Sequence, residues 1–193
     1  MTDYSRYTVG VLALQGAVSE HIAQLNSLGV TAVAIKKVEQ LQTIDGLVLP
    51  GGESTAIGKL MREYGFIDAI CHFAKQGKPL FGTCAGMILL AKEIESGEPN
   101  HLGLMDIQVQ RNAFGRQIDS FQTALDIHGL TSLFPAIFIR APYVSKLLSN
   151  KVEVLAEIDG NVVLVRQNNL LACSFHPELS QDNRIMALFM DMF

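Results

Sequence analysis

The chain has 193 residues, 49% of them hydrophobic and 18% charged, with a net charge of -4. That length builds one domain with a substantial core, and the charge content, below the ~25% usual for soluble domains, leaves surface for a partner to cover. No apolar run approaches the ~18 residues that span a bilayer, no basic block offers a nucleic-acid footprint, and three widely spaced cysteines make no disulfide framework.

The N-terminus, Met1 to Arg6, lacks the apolar segment of a signal peptide, so a single cytoplasmic domain over 1–193 is expected. Residues 7–14 (YTVGVLAL) form a short apolar run that reads as a buried strand ending at Gln15-Gly16. Val18, Ile22, Leu25 and Leu28 recur at helical spacing before Gly29, and this pattern places His21 on the polar side of the helix. Residues 31–35 and 47–49 read as strands joined by a short helical connection at Leu41 and Ile44. Helices follow over 54–64 and 66–75, a strand over 79–82, and a helix over 84–94. This alternation predicts a parallel sheet with helices on both faces.

The second half is strand-rich, with candidates at 104–109, 121–127, 137–139, 152–158, 162–165 and 170–175. Asp159-Gly160 and Asn168-Asn169 carry hairpin chemistry, so antiparallel strands are expected beside the parallel centre. A helix over 183–192 follows.

Three strand ends carry candidate chemistry. Gly82-Thr83-Cys84-Ala85-Gly86 places a thiol at a strand-to-helix turn, where flanking glycines permit a sharp elbow and a helix N-terminus favours thiolate. A free cysteine is more often a packed apolar residue, which is how Cys71 and Cys173 are read. Ser174-Phe175-His176-Pro177-Glu178 offers a base, His176, and an orienting carboxylate, Glu178, although a surface histidine in a proline turn fits the same letters. Leu49-Pro50-Gly51-Gly52-Glu53-Ser54 exposes backbone N–H groups suited to an oxyanion, or is an ordinary turn capped by Ser54. Gln15-Gly16 sits at the same sheet edge as a fourth, weaker feature. His72, His101 and His128 are assigned no role, and no spacing of His, Cys or carboxylates fits zinc, so no metal is expected.

Together these loops resemble the class I (triad) glutamine amidotransferases. With Gly10–Gly16, Arg111-Asn112-Ala113-Phe114-Gly115-Arg116-Gln117 and Phe138-Ile139-Arg140-Ala141-Pro142, the chain from about 7 to 193 resembles the PdxT/SNO family of pyridoxal 5'-phosphate synthase glutaminase subunits. The resemblance implies a flavodoxin-like three-layer α/β fold around a mixed, mostly parallel sheet. It implies hydrolysis of L-glutamine, with Cys84 as nucleophile, His176 as proton shuttle and Glu178 as its orienter, and no cofactor. Glutamine contacts carry over to Gly52, Glu53, Ser54, Arg111, Ile139 and Arg140. Oxyanion donors would come from the N–H groups near Gly51, Gly52 and Ala85, with Gln15 and Gly16 as a partner-coupled loop. Ammonia would pass to a (β/α)₈-barrel lyase subunit in a dodecameric core, which builds pyridoxal 5'-phosphate from ribose 5-phosphate and glyceraldehyde 3-phosphate. Only 17 residues follow His176 (193 − 176), so the ammonia acceptor is expected on another chain. Other glutaminase subunits, a γ-glutamyl hydrolase, or a non-catalytic subunit on the same scaffold are the competing readings.

Overall fold

The computed structural model describes residues 2–114 and 119–193. Gly115, Arg116 and Gln117, the end of the Arg111 motif, lie outside the described residues.

Five parallel strands form the centre: β1 (Thr8–Leu12), β2 (Thr31–Ile35), β3 (Gly46–Leu49), β4 (Leu80–Thr83) and β12 (Leu170–Cys173), in the order β2-β1-β3-β4-β12. Beyond β12 the sheet turns antiparallel through β11 (Asn161–Gln167) and β9 (Tyr143–Leu147), and continues through β6 (Met105–Gln110) to β5 (Ala91–Ile94). The strand β10 (Glu153–Ile158) lies off this path and, among the described residues, pairs with β11 alone. The two tight turns expected from sequence join β10 to β11 and β11 to β12. Asp159 (φ 50°), Gly160 (φ 80°) and Asn168 (φ 52°) adopt the left-handed conformations that two-residue hairpins need.

Alternation along the central strands builds two cores. Leu47 and Leu49 of β3 face one side and Val48 the other; Leu80 and Ala172 face the first side, and Phe81, Leu171 and Cys173 the second. The first face is covered by α2 (Ser54–Glu63), α3 (Phe66–Lys75) and α4 (Ala85–Leu90), whose Ile57, Met61, Phe66, Phe73 and Leu89 are buried there. The second face packs α1 (Val18–Ser27) and α5 (Arg184–Met190) through Leu25, Ile185 and Phe189. Beside them lies a separate two-stranded sheet, β7 (Ser120–Leu125) with β8 (Phe134–Ile139). Its Phe121 stacks on Phe138 at 4.7 Å, and Phe138 meets Phe175 edge-on, which ties this ribbon to the end of β12.

Several expectations are corrected. The helix predicted over 84–94 ends at Leu90, because Ala91–Ile94 pairs in parallel with β6 and exposes Lys92 and Glu93 between buried Ala91 and Ile94. A continuous apolar run cannot distinguish a buried helix from a buried strand by period. Tyr143–Leu147 is a strand that sequence analysis missed; its YVSKL pattern is short and half polar. The strand candidates at 121–127 and 137–139 belong to the separate ribbon rather than to the main sheet. The glycines around Cys84 also act differently from expectation. Neither Gly82 nor Gly86 has a positive φ; the left-handed residue is Cys84 itself (φ 51°). The glycines instead let α4 lie directly against the sheet: a Cβ on Gly86 would fall 2.2 Å from the Leu49 carbonyl oxygen, and one on Gly82 2.5 Å from the Gly86 backbone.

Gly86→Ala should therefore destabilise the fold by about 1–3 kcal/mol, the usual cost of overpacking against an unyielding backbone. Chemical denaturation would register this as a lower midpoint at unchanged slope.

Candidate active site

Four loops meet at the carboxyl edge of the parallel sheet, where open α/β sheets bind ligands. Cys84 follows β4, His176 and Glu178 follow β12, Gly51–Ser54 follow β3, and Gln15–Gly16 follow β1. The β4–β12 register pairs Thr83 with Cys173, and Cys84 N–H donates to the Cys173 carbonyl at 2.8 Å. Cys84 is thereby held at a fixed height beside the segment that leads to His176.

Cys84 is 7% exposed, with φ 51° and ψ -103°, an uncommon conformation for a residue with a side chain. Its thiol lies 3.7 Å from the Ile139 carbonyl oxygen. His176 Nδ1 is 2.6 Å from Glu178 Oε1, inside a turn begun by Pro177. Gly51 is required here. A Cβ on it would fall 2.6 Å from His176 Cε1, and the same point is 3.6 Å from Cys84 Cβ. Cys84, His176 and Glu178 thus come together, whereas Cys173 is fully buried in β12 and Cys71 lies on α3.

The electrostatics follow from burial opposed by pairing. Burial disfavours the His176 imidazolium, but the Cys84 sulfur and the Glu178 carboxylate outweigh it and raise the pKa from 6.5 to about 10. Burial likewise pushes the Glu178 carboxyl up, yet its bond to His176 and the His21 and His176 rings that face it hold it below its ordinary value. Because the folded pKa of His176 is raised, its pairing stabilises the fold fully below pH 6.5 and is lost as pH rises through about 10.

The β1 and β3 loops interlock. The Gly51 carbonyl accepts from Ala17 N–H at 2.9 Å, and Gln15 Oε1 accepts from Glu53 N–H at 2.9 Å. Gly16 has φ 108°, and a Cβ there would sit 2.0 Å from the Gly51 oxygen, so this contact needs glycine twice over. The cap of α2 differs from expectation. Glu53, not Ser54, accepts from Thr55 N–H (3.1 Å) and Ala56 N–H (2.6 Å), while Ser54 is buried. These bonds and the Arg111 guanidinium keep Glu53 below its ordinary pKa despite partial burial.

The open cleft holds about 430 Å³ and is lined by Gln15, Gly52, Glu53, Ser54, Cys84, Ala85, Ile88, Arg111, Asn112 and Arg140. That is ample for an amino acid. Arg111 reaches Glu98 at 2.8 Å and Glu53 at 3.3 Å, and Arg140 lies 4.0 Å from Asp119 on the exposed rim. Asn112 (φ 48°) and Arg140 (φ 44°) are both left-handed, and Ala113 N–H donates to the Ala141 carbonyl at 3.0 Å, stapling the two arginine turns together. Ile139 is partly exposed at the same edge.

One group contradicts the sequence reading. His21, expected on a solvated face, is 0% exposed; its Nε2 lies 2.9 Å from Thr83 Oγ1 and 3.7 Å from Glu178 Oε2. Within the polar residues of α1, Ser19, Glu20, Asn26 and Ser27 are exposed, but His21 and Gln24 face the 177–179 turn, and Gln24, one turn along, donates to the Pro177 carbonyl at 2.9 Å. Amphipathicity alone cannot tell a solvated polar face from one buried against other polar groups. Among the described residues, no group of three or more His, Cys, Asp or Glu side chains converges as a metal site, and no helix is long and apolar enough to cross a membrane.

The chain is similar to known proteins along its whole length. It is 64% identical over 192 residues to pyridoxal 5'-phosphate synthase subunit PdxT of Pasteurella multocida, covering 100% of both chains. It is 56% identical to the protein of that name from Niallia circulans, covering 95% of this chain and 96% of the relative. A crystal structure of a glutamine amidotransferase superposes with a TM-score of 0.90 at 49% identity, covering 95% of this chain and 97% of that one. PurLQS from Thermotoga maritima, at 14% identity and a TM-score of 0.71, shares the fold. Because the profile of the SNO glutamine amidotransferase family spans residues 11–193, and relatives this similar extend over the same length, the chain belongs to that family.

Proposed function

We propose that this chain is the glutaminase subunit of a pyridoxal 5'-phosphate synthase, hydrolysing L-glutamine to L-glutamate and ammonia at Cys84. Membership of the SNO family makes it a glutamine amidotransferase. The observation that carries the reading is the buried 2.6 Å His176–Glu178 pair set beside a strained cysteine elbow at the open end of the sheet.

In the first step the Cys84 sulfur, whose proton is held on His176 Nε2, forms a bond to the side-chain amide carbon of glutamine. The carbonyl electron pair moves onto oxygen. The resulting oxyanion accepts from backbone N–H groups, for which Gly52 and Ala85 are the candidates with Gly51 as their neighbour. When the C=O re-forms, the C–N bond breaks and His176 donates its proton to the departing nitrogen, giving ammonia and a thioester. Water then gives a proton to His176 and adds to the thioester carbon, and the C–S bond breaks, releasing glutamate and restoring the Cys84 sulfur beside the protonated His176. Glu178 keeps Nδ1 of His176 as the donor nitrogen, so Nε2 is the one that exchanges protons with substrate.

The substrate's α-carboxylate fits Arg111 and Arg140 at the cleft rim, and its amino group fits the Glu53 carboxylate, with Gly52, Ser54 and Ile139 shaping the floor. Ammonia then leaves for a lyase subunit, a (β/α)₈ barrel in a dodecameric core. The Gln15–Gly16 loop is the coupling element. It holds the Gly51 carbonyl against Ala17, so a partner that shifts this loop re-aims the Gly51–Gly52 peptide and its N–H. In this reading the free chain is a poor glutaminase and the assembled one is active.

Three outcomes are expected. Cys84→Ala should abolish glutamine turnover with folding intact, and a glutamine-like electrophile should label Cys84 while sparing Cys71 and Cys173. In the same variant the His176 midpoint, followed by NMR, should fall from about 10 toward the ordinary 6.5, because the sulfur no longer favours the imidazolium. Labelling at Cys71 would refute the assignment of the nucleophile.

His176→Asn should lose nearly all turnover, and Glu178→Gln should cost about 10²–10⁴-fold in kcat, because a wrong tautomer disables the base without displacing substrate. Near-normal rates in the His176 variant would remove it from the mechanism.

Titrating the chain with its lyase partner should raise turnover per Cys84 by about 10²–10³-fold, the value of one correctly aimed oxyanion donor. A flat rate across a titration in which binding is independently observed would mean that the site is already formed in the free chain.

A further inference from the structure

Beyond the three residues of the proposed relay, the buried polar chain continues. Glu178 uses Oε1 for His176, but Oε2 is buried with no hydrogen-bond partner among the described residues. A buried carboxylate oxygen is expensive to leave unpaired. The group that faces it is His21 Nε2 at 3.7 Å, itself anchored 2.9 Å from Thr83 Oγ1. Both rings and the carboxylate are shielded from water: His21 is 0%, Glu178 7% and His176 9% exposed. His21 therefore stands between the residue preceding Cys84 and the carboxylate that orients His176. Gln24 grips the same turn one helical turn away, through its bond to the Pro177 carbonyl.

We propose that His21 is a positioning residue of the relay, presenting Nε2–H to both Thr83 Oγ1 and Glu178 Oε2, so that helix α1 locks the carboxylate in the orientation that serves His176. This rests on the reading of Cys84, His176 and Glu178 given above.

The tautomer follows from charge. With the proton on Nε2, the positive edge of the ring faces the carboxylate. With the proton on Nδ1, the Nε2 lone pair would face it and repel. Burial holds His21 below the ordinary imidazole range, with the His176 charge acting the same way and those of Glu178 and Glu20 opposing. The neutral ring leaves Nδ1 as an unpaired acceptor, a smaller cost than an unpaired buried N–H donor. A ring that merely fills space needs neither a particular tautomer nor any link to Glu178, and the experiment separates the two roles on those points.

Glutamine turnover is measured on the chain assembled with its lyase partner, for wild type, Cys84→Ala, His21→Phe, His21→Gln, Glu178→Gln and the His21→Phe/Glu178→Gln double variant. His21→Phe keeps a ring of similar size without a donor, whereas Gln places an amide N–H near the position of Nε2. His21→Phe should lower kcat about 10–100-fold with KM nearly unchanged, and His21→Gln should recover most of that loss. In the Glu178→Gln background the same change should add less than about threefold, because its effect passes through the carboxylate. In the unmodified protein, nitrogen NMR should show His21 as the neutral Nε2–H tautomer. Full activity of His21→Phe, additive losses in the double variant, failure of Gln to recover kcat, or an Nδ1–H tautomer would each overturn the proposal. If His21→Phe does not fold, the tautomer and the Gln variant decide it. A wild type with no Cys84-dependent turnover would instead refute the glutaminase reading itself.

Discussion

The hydrogen bond from Cys84 N–H to the Cys173 carbonyl extends the parallel β4–β12 ladder one step beyond the last strand residue, and the rest of the site depends on it. Two strands about 90 residues apart in sequence become neighbours in register, with Thr83 opposite Cys173. The chain then diverges on either side: into α4 after Cys84, and into the Pro177 turn after His176. A slip of the ladder by one residue would reverse which face each side chain occupies. It would carry Cys84 away from His176 and turn Phe81 or Leu171, both fully buried on the second face, into the already filled first core. The register that fills the core is therefore also the one that assembles the chemistry.

Close approach is the second constraint. The α4 helix begins one residue after Cys84 and must lie on β3 and β4 without a gap, which the missing side chains of Gly82 and Gly86 allow. Gly51 does the same for the His176 ring, and Gly16 for the Gly51 carbonyl. Each of these glycines removes an obstruction between backbone and a functional group. The conformational strain itself sits at Cys84, Asn112 and Arg140, all residues with side chains and all bordering the cleft. Strain held at a cleft by a well-packed surround is a common way to pre-position reactive and binding groups.

Charge is sorted by depth. At the rim Arg111 pairs with Glu53 and Glu98 where water screens the interaction, so these groups can exchange partners for a charged ligand at small cost. Beneath them, Cys84, His176, Glu178, His21 and Thr83 form a buried polar line, where burial makes each orientation costly to change. Pairing is thus exchangeable at the entrance of the cleft and fixed beneath it.

The amino-acid sequence by itself determined the local elements and the residue chemistry. Strand-helix alternation through the first half and hairpin turns at Asp159-Gly160 and Asn168-Asn169 are set by neighbours a few positions apart, where steric and hydrogen-bond preferences act directly. What only the tertiary structure decided depends on surfaces meeting across the chain. The polar face of α1 reads as solvated from its period, yet His21 and Gln24 lie buried, because their partners at Thr83, Pro177 and Glu178 are 62 to 157 residues away (178 − 21 = 157). Ala91–Ile94 becomes a strand because β6 supplies a ladder that an apolar helical pattern cannot foresee. Glu53 rather than Ser54 caps α2, since Ser54 is drawn into the interior and the longer carboxylate can reach both the helix N–H groups and Arg111. Composition and spacing specify which groups are available; long-range packing, through register and buried charge, settles which of them face one another.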